Sequence, residues 1–420
     1  MITALGVDFG TTNSVVAALH DDGSVTTQRW PAAGAMLDVF RSVLCFWSEE
    51  GRGRHLRHEA GPAAIDAYLE DPLDSRLIMS MKTYLAQKSF TETRIYGHPF
   101  TLERLIGQFL RTLMAGIDPP PRIVVGRPVR FAGELADDTL GAERLRGAYA
   151  AAGIPEVALA LEPEAAGTGF ARTLTEPATV LIGDFGGGTS DFSLLRFEPG
   201  TAGGVTPLGH AGIGIAGDVF DFRIIDRLIS PMLGKGDSYR VMGKPLPVPP
   251  EYYSSFARWH LVSLMRAPRT LRAIAEVART ADHPERLRHL ITLIEDGLGY
   301  ALYQAVSSAK AALSQADSTV LRFAHKNFAI ERTITRADFE SWIAGDLARL
   351  AATVDQALAT AGVAPQSVDR VFLTGGTAFV PAVRRLFADR FGVGKLTGGG
   401  EFVSVAEGLA LMGAAAFTAG

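Results

Sequence analysis

Asp8-Phe9-Gly10-Thr11-Thr12-Asn13-Ser14 returns much later in the chain as Asp184-Phe185-Gly186-Gly187-Gly188-Thr189-Ser190-Asp191. Each copy closes one strand-like run and opens another, 3–9 then 14–19, and 179–185 then 191–197. A tight hairpin is expected in both places. Glycine lets the backbone turn there and approach a ligand closely, and Thr or Ser adds hydroxyls beside the bared N–H groups. Successive bared N–H groups form an anion nest that suits phosphate oxygens. An Asp at a strand end is badly placed for phosphate and well placed for Mg2+ held through water, because Mg2+ keeps much of its hydration. Asp8, Asp184 and Asp191 are the candidates. One such hairpin reads equally well as a good turn; two copies that share Asp-Phe-Gly and following hydroxyl residues read as two jaws on one nucleotide. A kinase reading of Asp-Phe-Gly fails, since no His-Arg-Asp loop or Val-Ala-Ile-Lys strand accompanies it.

A chain of 420 residues holds two or more domains with ample core. Its 41 basic residues face 45 acidic ones, so no field favours nucleic acid or anionic lipid, and neither is expected as a partner. Cys45 lies in the apolar run 43–47 and is expected to pack as a small buried hydrophobe; as the single cysteine it has no partner for a disulfide within the chain. Met1 leads straight into a strand-like segment without a secretory pattern, and apolar stretches such as 409–417 are too short to span a bilayer. A cytoplasmic location is the expectation.

Strands alternate with helical patterns in the manner of an α/β protein. Beyond the two hairpins, strands are predicted at 42–47, 122–126, 157–161, 180–183, 320–323 and 370–373, and helices at 62–70, 102–115, 140–152, 219–229, 284–315, 336–361 and 380–391. The proline-rich segment 235–250 reads as a loop, and 251–315 reads as a helical accessory region.

Gly212-Ile213-Gly214-Ile215-Ala216-Gly217 satisfies the dinucleotide fingerprint G-x-G-x-x-G. That fingerprint should open the first βαβ unit and be followed by an acidic residue on a new strand. Here it lies mid-chain, and a Gly-rich turn feeding a helix near Asp218 fits better; its backbone, Gly217 included, could lie against a ribose or phosphate. Three more segments suit a nucleotide cleft. Leu373-Thr374-Gly375-Gly376-Thr377 ends a strand before a helix, Glu162-Pro163-Glu164-Ala165-Ala166-Gly167 sets a carboxylate at a strand end, and Ser404-Val405-Ala406-Glu407-Gly408 opens the last helix. The small residues of the latter two helices suit close helix packing, which leaves Glu162 and Glu407 unexplained.

Taken in order, both loops, Glu162-Pro163-Glu164-Ala165-Ala166 and Gly375-Gly376-Thr377 resemble the ATPase domain of the heat-shock protein 70 (DnaK-type) family, within the actin and sugar-kinase superfamily. Val125-Gly126-Arg127-Pro128-Val129-Arg130-Phe131 differs from the chaperones proper and is similar to the YegD-like bacterial branch. The resemblance implies a two-lobed actin-like ATPase fold, α/β, with duplicated ribonuclease-H-like lobes carrying inserted subdomains. Lobe I would be 1–172 with an insert at about 38–100 and the returning helix at about 401–420; lobe II would be 173–400 with a helical insert at about 217–315.

It also implies ATP or ADP with Mg2+ as ligands, and roles by position. Asp8 and Asp191 match the carboxylates that hold Mg2+ through water, Asp184 one near the attacking water, and Glu162 the cleft carboxylate near both. Gly10, Thr11, Thr12, Asn13, Gly186, Gly187, Gly188 and Thr189 match phosphate contacts, and Lys82 matches the lysine that reaches the γ-phosphate, with Lys88 nearby as an alternative. On the adenosine side stand Gly217, Lys310, Ser314, Gly375, Gly376, Thr377, Phe379 and Glu407.

Two departures qualify the resemblance. In the adenine pocket Lys310 and Ser314 are kept, but Ser307 and Ala311 take the family's Glu and Arg positions and Phe379 takes the second arginine's; Phe379 could stack on the base instead. Family members also continue into a peptide-binding domain, whereas this sequence ends at Gly420, so a client or effector is expected to bind the lobes or arrive as a separate chain. The leading expectation is a slow Mg-ATPase acting as a chaperone-like switch toward an unknown protein partner; alternatives are a nucleotide sensor without turnover and a small-molecule kinase.

Overall fold

The computed structural model describes residues 1–32, 35–49, 55–117, 122–132, 135–171, 174–198, 205–258, 262–325, 328–397 and 403–416. The chain divides into two compact units, one of Met1–Tyr68, Leu77–Gly217 and Asp346–Gly420, the other of Leu69–Arg76 and Asp218–Gly345. The expected lobe boundaries at 172–173 and 400 lie outside the described residues, as do 401–402 and 417–420 of the last helix.

The first unit contains two sheets of the same plan. In one, β1 (Ile2–Phe9) and β2 (Asn13–His20) form the first hairpin, β3 (Val25–Thr27) extends it antiparallel, and β4 (Ile123–Arg127) and β5 (Ala158–Leu161) add parallel on the far side of β1. In the other, β6 (Ala178–Phe185) and β7 (Ser190–Phe197) form the second hairpin, β8 (Val205–Ile213) extends it antiparallel, and β9 (Arg370–Thr374) and β10 (Leu396–Thr397) add parallel beside β6. Both sheets therefore read 3-2-1-4-5 in their own strand order. The repeated motif is the tip of a repeated fold.

The Phe of each motif is a core anchor. Phe9 packs its ring 5.5 Å from Phe109 of the helix Leu102–Leu113, and Phe185 lies 6.0 Å from Phe387 of the helix Pro381–Phe391. Strand alternation then turns the neighbouring Asp to the opposite face, Asp8 with Ala4 and Gly6, and Asp184 with Val180 and Ile182. Those faces are covered by the two small-residue helices, Glu162–Ala171 and Ser404–Ala416, which pack against each other very closely. A Cβ on Gly408 would stand 1.7 Å from the Ala165 carbonyl oxygen, and one on Gly6 2.1 Å from that of Ala406. Cys45 is buried, as its apolar run implied.

The strands and helices predicted at 42–47, 122–126, 157–161, 62–70, 102–115, 140–152, 336–361 and 380–391 are found with ends shifted by at most a few residues. Two expectations in the second unit are corrected. The helix expected at 284–315 is two, Pro284–Glu295 and Gly299–Leu313. Gly297 takes φ +67°, and the Leu298 N–H bonds Leu293 O while the Gly297 N–H bonds Ile294 O, the paired bonds that end a helix at a left-handed glycine. The loop expected at 235–250 contains a hairpin, Ser238–Val241 with Lys244–Pro247, turned by Met242 and Gly243 at φ +49° and +80°. Pro245 and Pro247 sit opposite Arg240 and Ser238, the positions where no N–H is owed to the ladder, so proline did not prevent a strand. Leu287, Leu290, Leu293 and Ile294 are buried, as expected of a helix face inside its own subdomain. Among the described residues no helix is long and apolar enough to cross a membrane.

Candidate nucleotide site

The two hairpin tips meet. A Cβ added to Gly187 would stand 2.2 Å from Thr12 Oγ1, and one on Gly188 3.2 Å from Thr11 Oγ1. Glycine is needed at 187 for this approach, not for a turn. Gly10 is equally constrained within its own loop, where a Cβ would fall 2.0 Å from the Asn13 carbonyl oxygen. Thr12 Oγ1 is buried and has no hydrogen-bond partner, although a buried hydroxyl ordinarily has one. An orphan hydroxyl between two glycine loops fits a phosphate oxygen.

Acidic residues gather behind the tips. Asp184 and Asp191 lie directly opposite each other across the second hairpin, where like charges repel. Burial, then the Glu162 charge, raises Asp8 to about 7, with Lys82 pulling the other way. Burial and Glu162 raise Asp191 to about 7 as well, against hydrogen bonds from the Arg130 N–H and the Thr189 side chain. Asp184 is pushed well above the usual carboxylate range by burial and by Glu162, Asp8 and Asp191. Lys82 enters this group from the short helix Met81–Tyr84, and its Nζ donates to Glu162 Oε1 at 2.6 Å. Burial lowers its affinity for a proton, but the charges of Glu162, Asp8 and Asp184 outweigh that and hold it above the ordinary lysine value. Lys88, the alternative lysine, is exposed and pairs with Asp137 instead.

One buried lysine among four carboxylates leaves negative charge uncompensated, which suits a divalent cation. Among the described residues no group of three or more His, Cys, Asp or Glu side chains could hold a cation directly. The donor set fits one held through water, the common mode for Mg2+.

The segment 128–130 closes over this group from β4. The backbone N–H groups of Val129 and Arg130 donate to Asp191 Oδ1 at 2.9 and 3.3 Å. Gly212 makes room for this, since a Cβ there would stand 2.4 Å from Asp191 Oδ1 and 3.1 Å from Arg130 N. The first glycine of the G-x-G-x-x-G stretch thus serves the acidic group, and Gly217, its last, opens the helix Gly217–Ile224. Tyr149 was missed by sequence reasoning. It is fully buried with an unpartnered hydroxyl, and its phenol is raised by burial and by the nearby Asp8 charge. Nothing but its helix face distinguished it beforehand.

The remaining candidates are distributed as follows. Gly375, at φ +86°, lies against the second hairpin, a Cβ there being 2.0 Å from Phe185 O, and leads into the turn Gly376–Phe379, in which Thr377 is buried and Phe379 exposed. Thr374 pairs with Asp184 in register, so the loop expected to meet adenosine starts beside the acidic group. Lys310 Nζ donates to buried Asp221 Oδ2 at 2.8 Å, and Ser314 caps the helix Gly299–Leu313 in the second unit. Glu407 accepts a hydrogen bond from Thr27 Oγ1 at 3.4 Å, which ties the last helix to β3.

The duplicated sheets with glycine loops at their tips are the actin-like ATPase fold. Residues 296–417 match the family model described as Hsp70 protein. The chain is 26% identical over 408 residues to the chaperone protein DnaK of Thermus thermophilus, covering 93% of this chain and 57% of that protein. It is 26% identical over 407 residues to a chaperone protein HscA homolog of Bordetella petrii, covering 93% and 54%. The chain is thus similar to these chaperones over most of its own length, and it spans somewhat over half the length of those it matches.

Proposed function

We propose that the chain binds ATP and ADP with Mg2+ and hydrolyses ATP slowly, as a chaperone-like switch whose nucleotide state governs an unidentified protein partner. The observation that carries this reading is the meeting of the two loops at Thr12 and Gly187, with the Thr12 hydroxyl left open to a ligand. The Hsp70 relationship supports the choice of an adenine nucleotide.

In this reading Gly10–Asn13 and Gly186–Thr189 hold the phosphate chain with N–H groups and hydroxyls. Lys82, fixed by Glu162, brings positive charge toward the terminal phosphate. Asp8 and Asp191 hold the waters of the cation, and Asp184 and Glu162 orient the attacking water. Mg2+, when bound, neutralises phosphate charge and polarises the bond that breaks. Phosphoryl transfer rests mainly on positioning and electrostatics, so a slow clock for conformational change needs no strong base. The YegD-like kinship, the lobe boundaries given above and a cytoplasmic setting belong to the same proposal.

A sensor without turnover is the second reading, favoured by the uncharged Ala311 and Phe379 where the family has arginines. Calorimetric titration of MgADP and MgATP into wild type and Thr12→Val tests the nucleotide reading. Binding by wild type, weakened in the variant, is expected; no binding by wild type would end it.

A further inference from the structure

The segment Phe40–Arg41 runs antiparallel beside the first hairpin, with Arg41 opposite Asn13 and Phe40 opposite Ser14. Three bonds fasten it to the phosphate loop. The Ser42 N–H donates to the Thr12 carbonyl at 2.9 Å, the Ser14 and Ser42 hydroxyls share a buried bond of 2.9 Å, and Arg41 Nη1 donates to Asn13 Oδ1 at 2.9 Å. Ser14 and Ser42 are buried, whereas Asn13 and Arg41, one residue back on each strand, turn to the other face and keep part of their surface open.

A guanidinium carries five N–H donors in a planar fork that matches phosphate. Asn13 is neutral and takes up one of them. No ion pair neutralises Arg41 among the described residues, so its charge stands free beside a loop whose Thr12 hydroxyl also lacks a partner. The buried cation of the site, Lys82, is already held by Glu162. Two positions on the adenosine side that carry arginine in the resembling family are uncharged here, Ala311 and Phe379. A cation at the phosphate end changes where such a ligand is gripped.

Resting on the nucleotide reading above, we propose that Arg41 contacts the phosphate chain of a nucleoside di- or triphosphate directly, with Asn13 holding its guanidinium beside the loop. The inference deepens that reading and fails separately from it.

The test is titration of MgADP into wild type, Arg41→Ala and Arg41→Lys at several KCl concentrations. Arg41→Ala is expected to weaken ADP roughly tenfold at low salt. It should also flatten the dependence of Kd on KCl, since one screened charge contact is gone, while Arg41→Lys keeps most of that dependence. An unchanged Kd in Arg41→Ala overturns the proposal, and so does a weaker Kd with wild-type salt dependence, which would mean that Arg41 only braces the loop. Wild type that binds no ADP overturns the nucleotide reading itself and Arg41's role with it. Should Arg41→Ala not fold, Arg41→Gln, which keeps a donor for Asn13 and removes the charge, carries the same comparison.

Discussion

Lys82 Nζ lies 2.6 Å from Glu162 Oε1, and the two side chains, 80 residues apart in the chain, are both buried. This contact fixes the lysine among carboxylates, and it predicts that Lys82 carries stability in addition to the role proposed for it. Lys82→Ala leaves buried Glu162 without its partner beside Asp8 and Asp184, and removing one partner of a buried pair costs about 3–5 kcal/mol. Urea unfolding should therefore find Lys82→Ala strongly destabilised, and Lys82→Ala with Glu162→Gln should recover part of the loss. Equal stability of wild type and Lys82→Ala would mean that the pair is not formed in solution.

The acidic group gives the protein a pH dependence of definite sign. Asp8 and Asp191 titrate near 7 in the fold, first because of burial and then because of Glu162, against 3.8 for ordinary Asp. Their protonated forms favour the fold, so their contribution is fully present below the ordinary value and is lost as pH rises through about 7. In metal-free buffer, thermal midpoints are expected to fall between pH 5 and pH 8, and less so for Asp191→Asn. Adding Mg2+ should raise the midpoint more at pH 8 than at pH 5, because the cation binds the ionised carboxylates. A Mg2+ effect that is larger at pH 5 contradicts the account.

Glycine at 408 is required by packing and glycine at 345 is not. A methyl at 408 meets the Ala165 backbone at 1.7 Å, whereas nothing lies within 4 Å of one at 345 in the helix Arg336–Ala361. Gly408→Ala should lose on the order of 1–3 kcal/mol or more. Gly345→Ala should gain about 0.5–1 kcal/mol from helix propensity. Denaturant titration of both variants beside wild type checks the contrast.

The loop contact makes a graded prediction for function. Gly187→Ala drives a methyl into Thr12 Oγ1 and Gly188→Ala only crowds Thr11. Affinity for MgADP should drop far more in the first than in the second, with little change in melting for either, because both residues are only half-buried at the tip. Equal losses would argue that the tips do not meet on the ligand.

What could be read from the sequence was what is local and repeated. Both hairpins, their flanking strands and the acidic strand ends follow from alternation, glycine and hydroxyl spacing, and the structure adds that each repeat tops a sheet of the same order. The approach of Arg41 to Asn13, of Gly212 to Asp191 and of Tyr149 to Asp8 joins segments far apart in the chain and leaves no local pattern. The hairpin at 238–247 was hidden because its prolines sit where no donor is needed, and the break at Gly297 because the apolar spacing continues across it. Lys82 was separated from Lys88 only by burial, which spacing does not encode.

The most direct test of the switch is phosphate release from MgATP by wild type and Asp8→Asn purified in parallel. The account predicts slow release over several turnovers by wild type, abolished in Asp8→Asn, with the variant melting no lower because it loses a carboxylate whose burial is costly. Release that is the same in both preparations, or absent from wild type that binds ATP, would contradict it.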